Sequence, residues 1–164
     1  MPNDDLVVSD TSPLLNLALI NRLDLLEAQF SGITVPTHVW TELTDGDAGV
    51  DRLLALRNKG FLSIVEVDES ELFTEIGHAL DSGETAAICH AIAKDAHLVL
   101  IDESDGRRVA RRHGLTVTGV IGILLRGANS GDVVLEVELD ALRDAGFWIS
   151  DQLYDKVLRE ADTD

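Results

Sequence analysis

Short apolar runs alternate with longer amphipathic stretches along the whole chain, which predicts strands and helices in turn. Leu6-Val7-Val8-Ser9 and His97-Leu98-Val99-Leu100-Ile101 read as buried strands, joined by short strands at 33–35, 62–67 and 115–118. Between them, Ser12 as cap and Pro13 in the first turn open a helix that runs through Leu26 with a break near Asn21. Pro36 stops the second strand, and Thr37 caps a helix carrying Trp40, Glu42 and Leu43. Further helices are predicted over 50–59, 69–80, 103–113 and 120–128, with the small apolar stretch 86–94 forming a buried one. A helix over 133–145, with apolar spacing at Val134, Val137, Leu142 and Ala145, ends at Gly146. Leu153, Tyr154, Val157 and Leu158 mark a closing helix. Alternating strands and helices imply a parallel sheet covered on both faces, a three-layer α/β/α sandwich. The expected organisation is one domain, with a core over about 5–130 and a C-terminal helical extension over about 131–164.

Composition narrows the setting. Of 164 residues 45% are hydrophobic, enough for a core, and no long uncharged apolar run suggests a leader or a membrane span. The expectation is a soluble, cytoplasmic protein. Cys89 is the single cysteine and sits in an apolar run, which fits a small core residue in a reducing compartment. The net charge of −17 argues against nucleic acid at first sight. Lysine, however, appears only at Lys59, Lys94 and Lys156, and the excess acid is spread along the chain. That pattern is similar to the acidic surfaces of proteins from salt-loving organisms, where concentrated salt screens self-repulsion. An acidic protein with a basic partner is the other reading.

Four acids then stand out. Asp10 ends the first strand, Asp102 ends the fourth, Glu42 lies on a helix and Glu84 at a helix start. Each alone has a structural reading. Asp81-Ser82-Gly83-Glu84 is a capping-box pattern, Asp102 can cap the next helix with Asp105 in its first turn, and Glu42 can pair with His38 one turn away. Together they gain another, because ligands of open α/β sheets bind beyond the carboxyl ends of the strands. Carboxylates converging there repel one another unless a hard cation or protons offset them. Oxygen-only donors suit magnesium or manganese, and such ions can activate water and orient a phosphodiester.

Val8-Ser9-Asp10-Thr11-Ser12-Pro13, Val39-Trp40-Thr41-Glu42-Leu43, Asp81-Ser82-Gly83-Glu84-Thr85-Ala86-Ala87-Ile88 and Leu100-Ile101-Asp102-Glu103-Ser104-Asp105 occur in an order that resembles the PIN-domain nucleases. The likeness is closer to a branch with a Gly-Glu helix start and an Arg-Arg-Val-Ala segment, here Arg107-Arg108-Val109-Ala110, and it extends through Ser150. It implies an α/β/α fold and Mg2+- or Mn2+-dependent cleavage of RNA, as in the toxin ribonucleases of toxin–antitoxin pairs, with a cognate antitoxin protein as partner. By this resemblance Asp10, Glu42, Glu84 and Asp102 are the acidic quartet, Asp105 is a fifth metal candidate, and Thr11 or Ser12 assists. Many PIN nucleases carry aspartate where this chain has Glu84, so a longer arm would place the cation differently or hold it through water. A homodimer is also expected from the family.

Arg107, Arg108, Arg111 and Arg112 form two pairs at helical spacing just after Asp102. They read equally as a strip gripping phosphate or a partner and as a solvated face. The histidines show no zinc spacing, and Trp40, Phe147, Trp148 and Tyr154 are too scattered for a stacking platform; Trp148 and Tyr154 are expected to pack the C-terminal extension or an interface. Two other functions stay open: a PIN-like module that binds RNA or a partner without cutting, and a phosphohydrolase with an aspartate nucleophile at Asp10. The latter usually has a second acid two residues on, where this chain has Ser12.

Overall fold

The computed structural model describes residues 6–162, the side chain of Asp162 excepted. The opening residues, on which the absence of a leader was read, and the end of the expected extension lie outside it. The elements, in order, are β1 (Val7–Ser9), α1 (Thr11–Leu19), α2 (Asp24–Gln29), β2 (Ile33–Pro36), α3 (Thr37–Asp45), α4 (Val50–Asn58), β3 (Leu62–Val65), α5 (Glu71–Gly77), α6 (Ser82–Lys94), β4 (Leu98–Leu100), α7 (Ser104–Arg112), β5 (Val117–Thr118), α8 (Val120–Asn129), α9 (Leu135–Asp144) and α10 (Asp151–Asp162). The strands form one parallel sheet in the order β3-β2-β1-β4-β5. Ser9 lies beside Leu100, so β1 and β4 end together. The order reverses at this pair, and the crevice of an open α/β sheet opens at such a reversal.

Alternation along the strands divides the core into two layers. Val7, Leu98 and Leu100 face one side with Leu14, Leu17, Leu25, Ile123, Leu139 and Leu142. Val8, Val99 and Ile101 face the other, against Phe73, Ile88 and Ala110. Burying each of the larger side chains contributes about 1.5–3 kcal/mol. The sandwich predicted from the alternation is therefore the fold, and α6 is the buried helix expected, with every residue from Gly83 to Cys89 buried.

Several local expectations give way. Helix α1 starts at Thr11 with Asp10, not Ser12, in the cap position, because the turn begins directly at the strand end. Pro36 lies within β2 and is itself the cap residue of α3, its fixed φ of −66° suiting extended backbone, so Thr37 is the first helical residue. Helix α9 turns a different stripe inward: Leu135, Glu138, Leu139 and Leu142 are buried, while Val134 and Val137 are 65% and 59% exposed. Three leucines outweigh two valines in apolar area, and Glu138 is accommodated because Arg22 grips it from Nε and Nη2, both at 3.1 Å. Tyr154 packs against this layer and donates to Asp140, whereas Trp148 is 82% exposed and does not pack the extension, which leaves the interface as its expected role.

Candidate metal centre

Asp10 and Asp102 emerge from neighbouring strands, and the Asp10 amide donates to Leu100 O at 3.0 Å across the gap. Asp10 is buried. Loss of hydration lifts its carboxyl from 3.8 to about 7; the Thr11 amide opposes this, and Asp81, Glu42 and Glu103 add to it. Glu84 comes to the same edge on the first turn of α6. The Asp81 side chain caps that helix, accepting from the Glu84 amide at 2.8 Å, so one half of the predicted capping box forms. The Glu84 carboxylate has a different position. Its Oε2 is buried without a hydrogen-bond partner among the described residues, and burial followed by the charges of Asp81, Asp10 and Glu103 raises its carboxyl strongly.

Two glycines make this crowding feasible. A methyl group at Gly83 would stand 2.9 Å from Glu42 Oε1 and 3.3 Å from Asp10 Oδ1, so the bare backbone of α6 lets both acids approach. At Gly106 in α7 a methyl group would collide with Glu84 Oε2. Glu42 itself is exposed at the rim.

Asp102 is held on the other flank. Its Oδ1 accepts from the Val120 amide at 2.7 Å and its Oδ2 from Asn16 Nδ2 at 2.9 Å. It caps α8, across the sheet edge, while Glu103 takes the cap position of the helix that follows it. Gly119 is required there, since its Cβ would lie 2.5 Å from Asp102 Oδ1. Burial raises the Asp102 carboxyl, and its two hydrogen bonds and the charge of Arg107 oppose the rise.

The other predicted residues divide clearly. Thr11 Oγ1 is buried without a partner among the described residues and close to Gly83, and Ser12 lines a cleft with Asp102. Asp105 stands in solvent in the first turn of α7, paired with Arg108 at 3.1 Å. Arg107 points inward with Nε buried and unpartnered among the described residues, whereas Arg111 and Arg112 occupy the exposed last turn, where the helix dipole favours cations. The geometry adds Asn16, Asp81 and Glu103, which sequence reasoning did not place at the site. Asn16 was visible as a polar residue in an otherwise apolar stretch.

A match over residues 6–163 to the family model described as DUF3368, a PIN domain, decides the relationship. The chain belongs to this PIN-domain family. No curated protein matches it. PIN domains are generally metal-dependent nucleases, and this PIN domain offers oxygen donors of the kind hard cations take. Among the described residues no three His, Cys, Asp or Glu side chains close around a common point. Magnesium commonly binds through one or two carboxylates and completes its shell with water and substrate phosphate. The unpartnered Glu84 Oε2 beside Asp10 fits that mode. No helix among the described residues of this PIN domain is long and apolar enough to cross a membrane.

Proposed function

We propose that the protein is a metal-dependent endoribonuclease that hydrolyses RNA phosphodiester bonds at the edge bearing Asp10, Glu42, Glu84 and Asp102. The observation that carries this is Glu84, a buried carboxylate whose Oε2 has no hydrogen-bond partner among the described residues and whose acting charges are other acids. Asp10 and Glu84 would hold the Mg2+ or Mn2+ ion, with Asp102 oriented by Asn16 and Val120 on its far side and Glu42 at the rim. Asp105 is an outer candidate that must first leave Arg108. When bound, the divalent ion supplies activation of water and neutralisation of phosphate charge. Thr11 offers its hydroxyl to a phosphate oxygen or water, and the charge of Arg107 partly offsets the burial that raises Asp102. Arg108, Arg111 and Arg112 would contact the RNA backbone or a partner farther out.

The cellular role proposed is that of a cytoplasmic toxin held by a cognate antitoxin protein, working as a homodimer in one domain with its C-terminal helices. The acidic surface fits a salt-rich interior. A non-cutting RNA-binding module remains the second reading, motivated by Glu84 in place of the shorter aspartate. Labelled single-stranded RNA, incubated with Mg2+ or Mn2+ in molar potassium chloride, should be cut by the native chain and spared with chelator or in Asp10→Asn. Equal cutting by Asp10→Asn would expose a contaminant, and absence of metal binding by calorimetry would leave the non-cutting module. Light scattering tests the dimer, a monomer at all concentrations removing it.

A further inference from the structure

A cleft of about 320 Å3 adjoins the acidic edge, and Ser12, Asn16, Asp102, Glu103, Phe147 and Trp148 line it. It sits at the small end of ligand clefts, which span about 300–1,000 Å3. Its polar wall carries the Asp102 carboxylate, and its apolar wall is the connection between α9 and α10. Trp148 on that wall is 82% exposed, a costly position for so large an apolar side chain.

The exposure is not a product of a loose segment. Gly146 turns the chain with φ of +101°, and the Phe147 amide donates to Leu142 O at 2.9 Å. On the other side Ile149 is buried, and its carbonyl accepts from Arg143 Nη2 at 2.8 Å. Trp148 is thus displayed between two fixed neighbours, so little backbone freedom remains to be lost when something lies on it.

We propose that this cleft is a nucleobase subsite, in which an unpaired RNA base stacks on Trp148 beside the acidic edge. The assignment rests on the ribonuclease reading for the identity of its ligand. Charge favours a base over other occupants of an aromatic face. With a net charge of −17 the protein cannot rely on a basic surface to collect phosphates, and salt concentrated enough to screen that charge weakens phosphate contacts further. Stacking persists under both conditions and accepts any base. The acceptor oxygens of Asp102 and Glu103, which line the same cleft, favour bases whose edges offer N–H donors.

The experiment titrates full-length protein in molar potassium chloride with calcium, following tryptophan fluorescence. The probes are an RNA hexamer, whose integrity is checked afterwards, and a hexamer of the same backbone without bases. The base-bearing hexamer should quench fluorescence and the abasic one should not. Trp148→Phe should lose most of the quench yet bind nearly as well, because it retains a stacking face. Trp148→Ala should bind about tenfold more weakly, within the range for one stacked base. Equal binding of the two hexamers, or unchanged affinity in Trp148→Ala, overturns the subsite. So does a Trp148→Ala variant whose only change is its mass by light scattering, which would make the cleft a protein interface. Base-dependent quenching without cleavage in magnesium or manganese would uphold the subsite while the nuclease reading fails. Cleavage without quenching would do the reverse.

Discussion

Glu84 and Glu138 are the same side chain at nearly the same burial, 3% and 4% exposed, and the fold treats them in opposite ways. Glu138 meets Arg22, which spans both its oxygens from Nε and Nη2, so its charge is balanced inside the protein. Glu84 meets acids: Asp81, Asp10 and Glu103 all act on it, and its Oε2 has no partner among the described residues. A buried charge without a partner is among the costlier features a fold can contain. The chain supplies an internal cation where the carboxylate is structural. At the sheet edge Arg107 acts on Asp102, while the charges acting on Glu84 are all acidic, which supports a counter-charge for Glu84 arriving from outside.

The widest separation between the two glutamates should appear in cleavage. Glu84→Gln is expected to lose about a hundred- to a thousandfold of metal-dependent activity, and Glu138→Gln almost none, in initial-rate assays on labelled RNA. Comparable losses in both would dissolve the distinction. Stability in chelator should then diverge in sign. Glu138→Gln should destabilise by about 1–3 kcal/mol, the partial exposure of Arg22 keeping it below the full cost of breaking a buried pair. Above about pH 8, where Glu84 ionises, Glu84→Gln should be neutral or stabilising by up to about 1 kcal/mol, since it removes a charge that its neighbours repel. Denaturant melts of both variants measure this directly.

Acidity sharpens the same contrast. The folded Asp10 carboxyl titrates at about 7, above its ordinary 3.8, and Glu84 is raised likewise. Their protonated forms are favoured by the fold, so their contribution is complete below the ordinary carboxylate range and lost as pH rises through about 7 for Asp10 and about 8 for Glu84. Metal-free protein should therefore melt lower at pH 8 than at pH 5.5, by about 2–4 °C for each kcal/mol. Magnesium should narrow the gap, and Asp10→Asn should flatten it; a slope unchanged in Asp10→Asn would remove the site from the explanation. The smallest effect is general. Molar potassium chloride should raise the melting temperature by screening the net charge of −17, and by similar amounts in both glutamate variants.

The balanced and unbalanced regions were unequally visible in the sequence. Asp10, Asp102 and Glu84 announced themselves because strand ends and a helix cap can be read locally, and the parallel sheet brings β1 and β4 together. Glu138 did not, because its partner is 116 residues away in sequence. Without that partner Val134 and Val137 made an equally good inward stripe for α9. The contacts of Asn16 and Val120 with Asp102, and the sharing of one cleft by Ser12 and Trp148, were hidden for the same reason. Each is a meeting of distant segments that no periodicity records. The caps at Asp10 and Pro36 were misplaced by one or two residues because helix starts abut strand ends without a linking turn.

The central position of β1 also sets an order in time. Its first neighbour, β2, follows within some thirty residues, but its other neighbour is β4, which includes Leu98, Val99 and Leu100. During synthesis the first strand must wait, half-paired, for most of the chain to emerge, an interval of about 5–20 s at ordinary elongation rates. Long-range parallel pairing of this kind is also slow to form. Asp10 and Asp102 therefore become neighbours late, and a product interrupted before β4 would carry the first acid with no edge to complete.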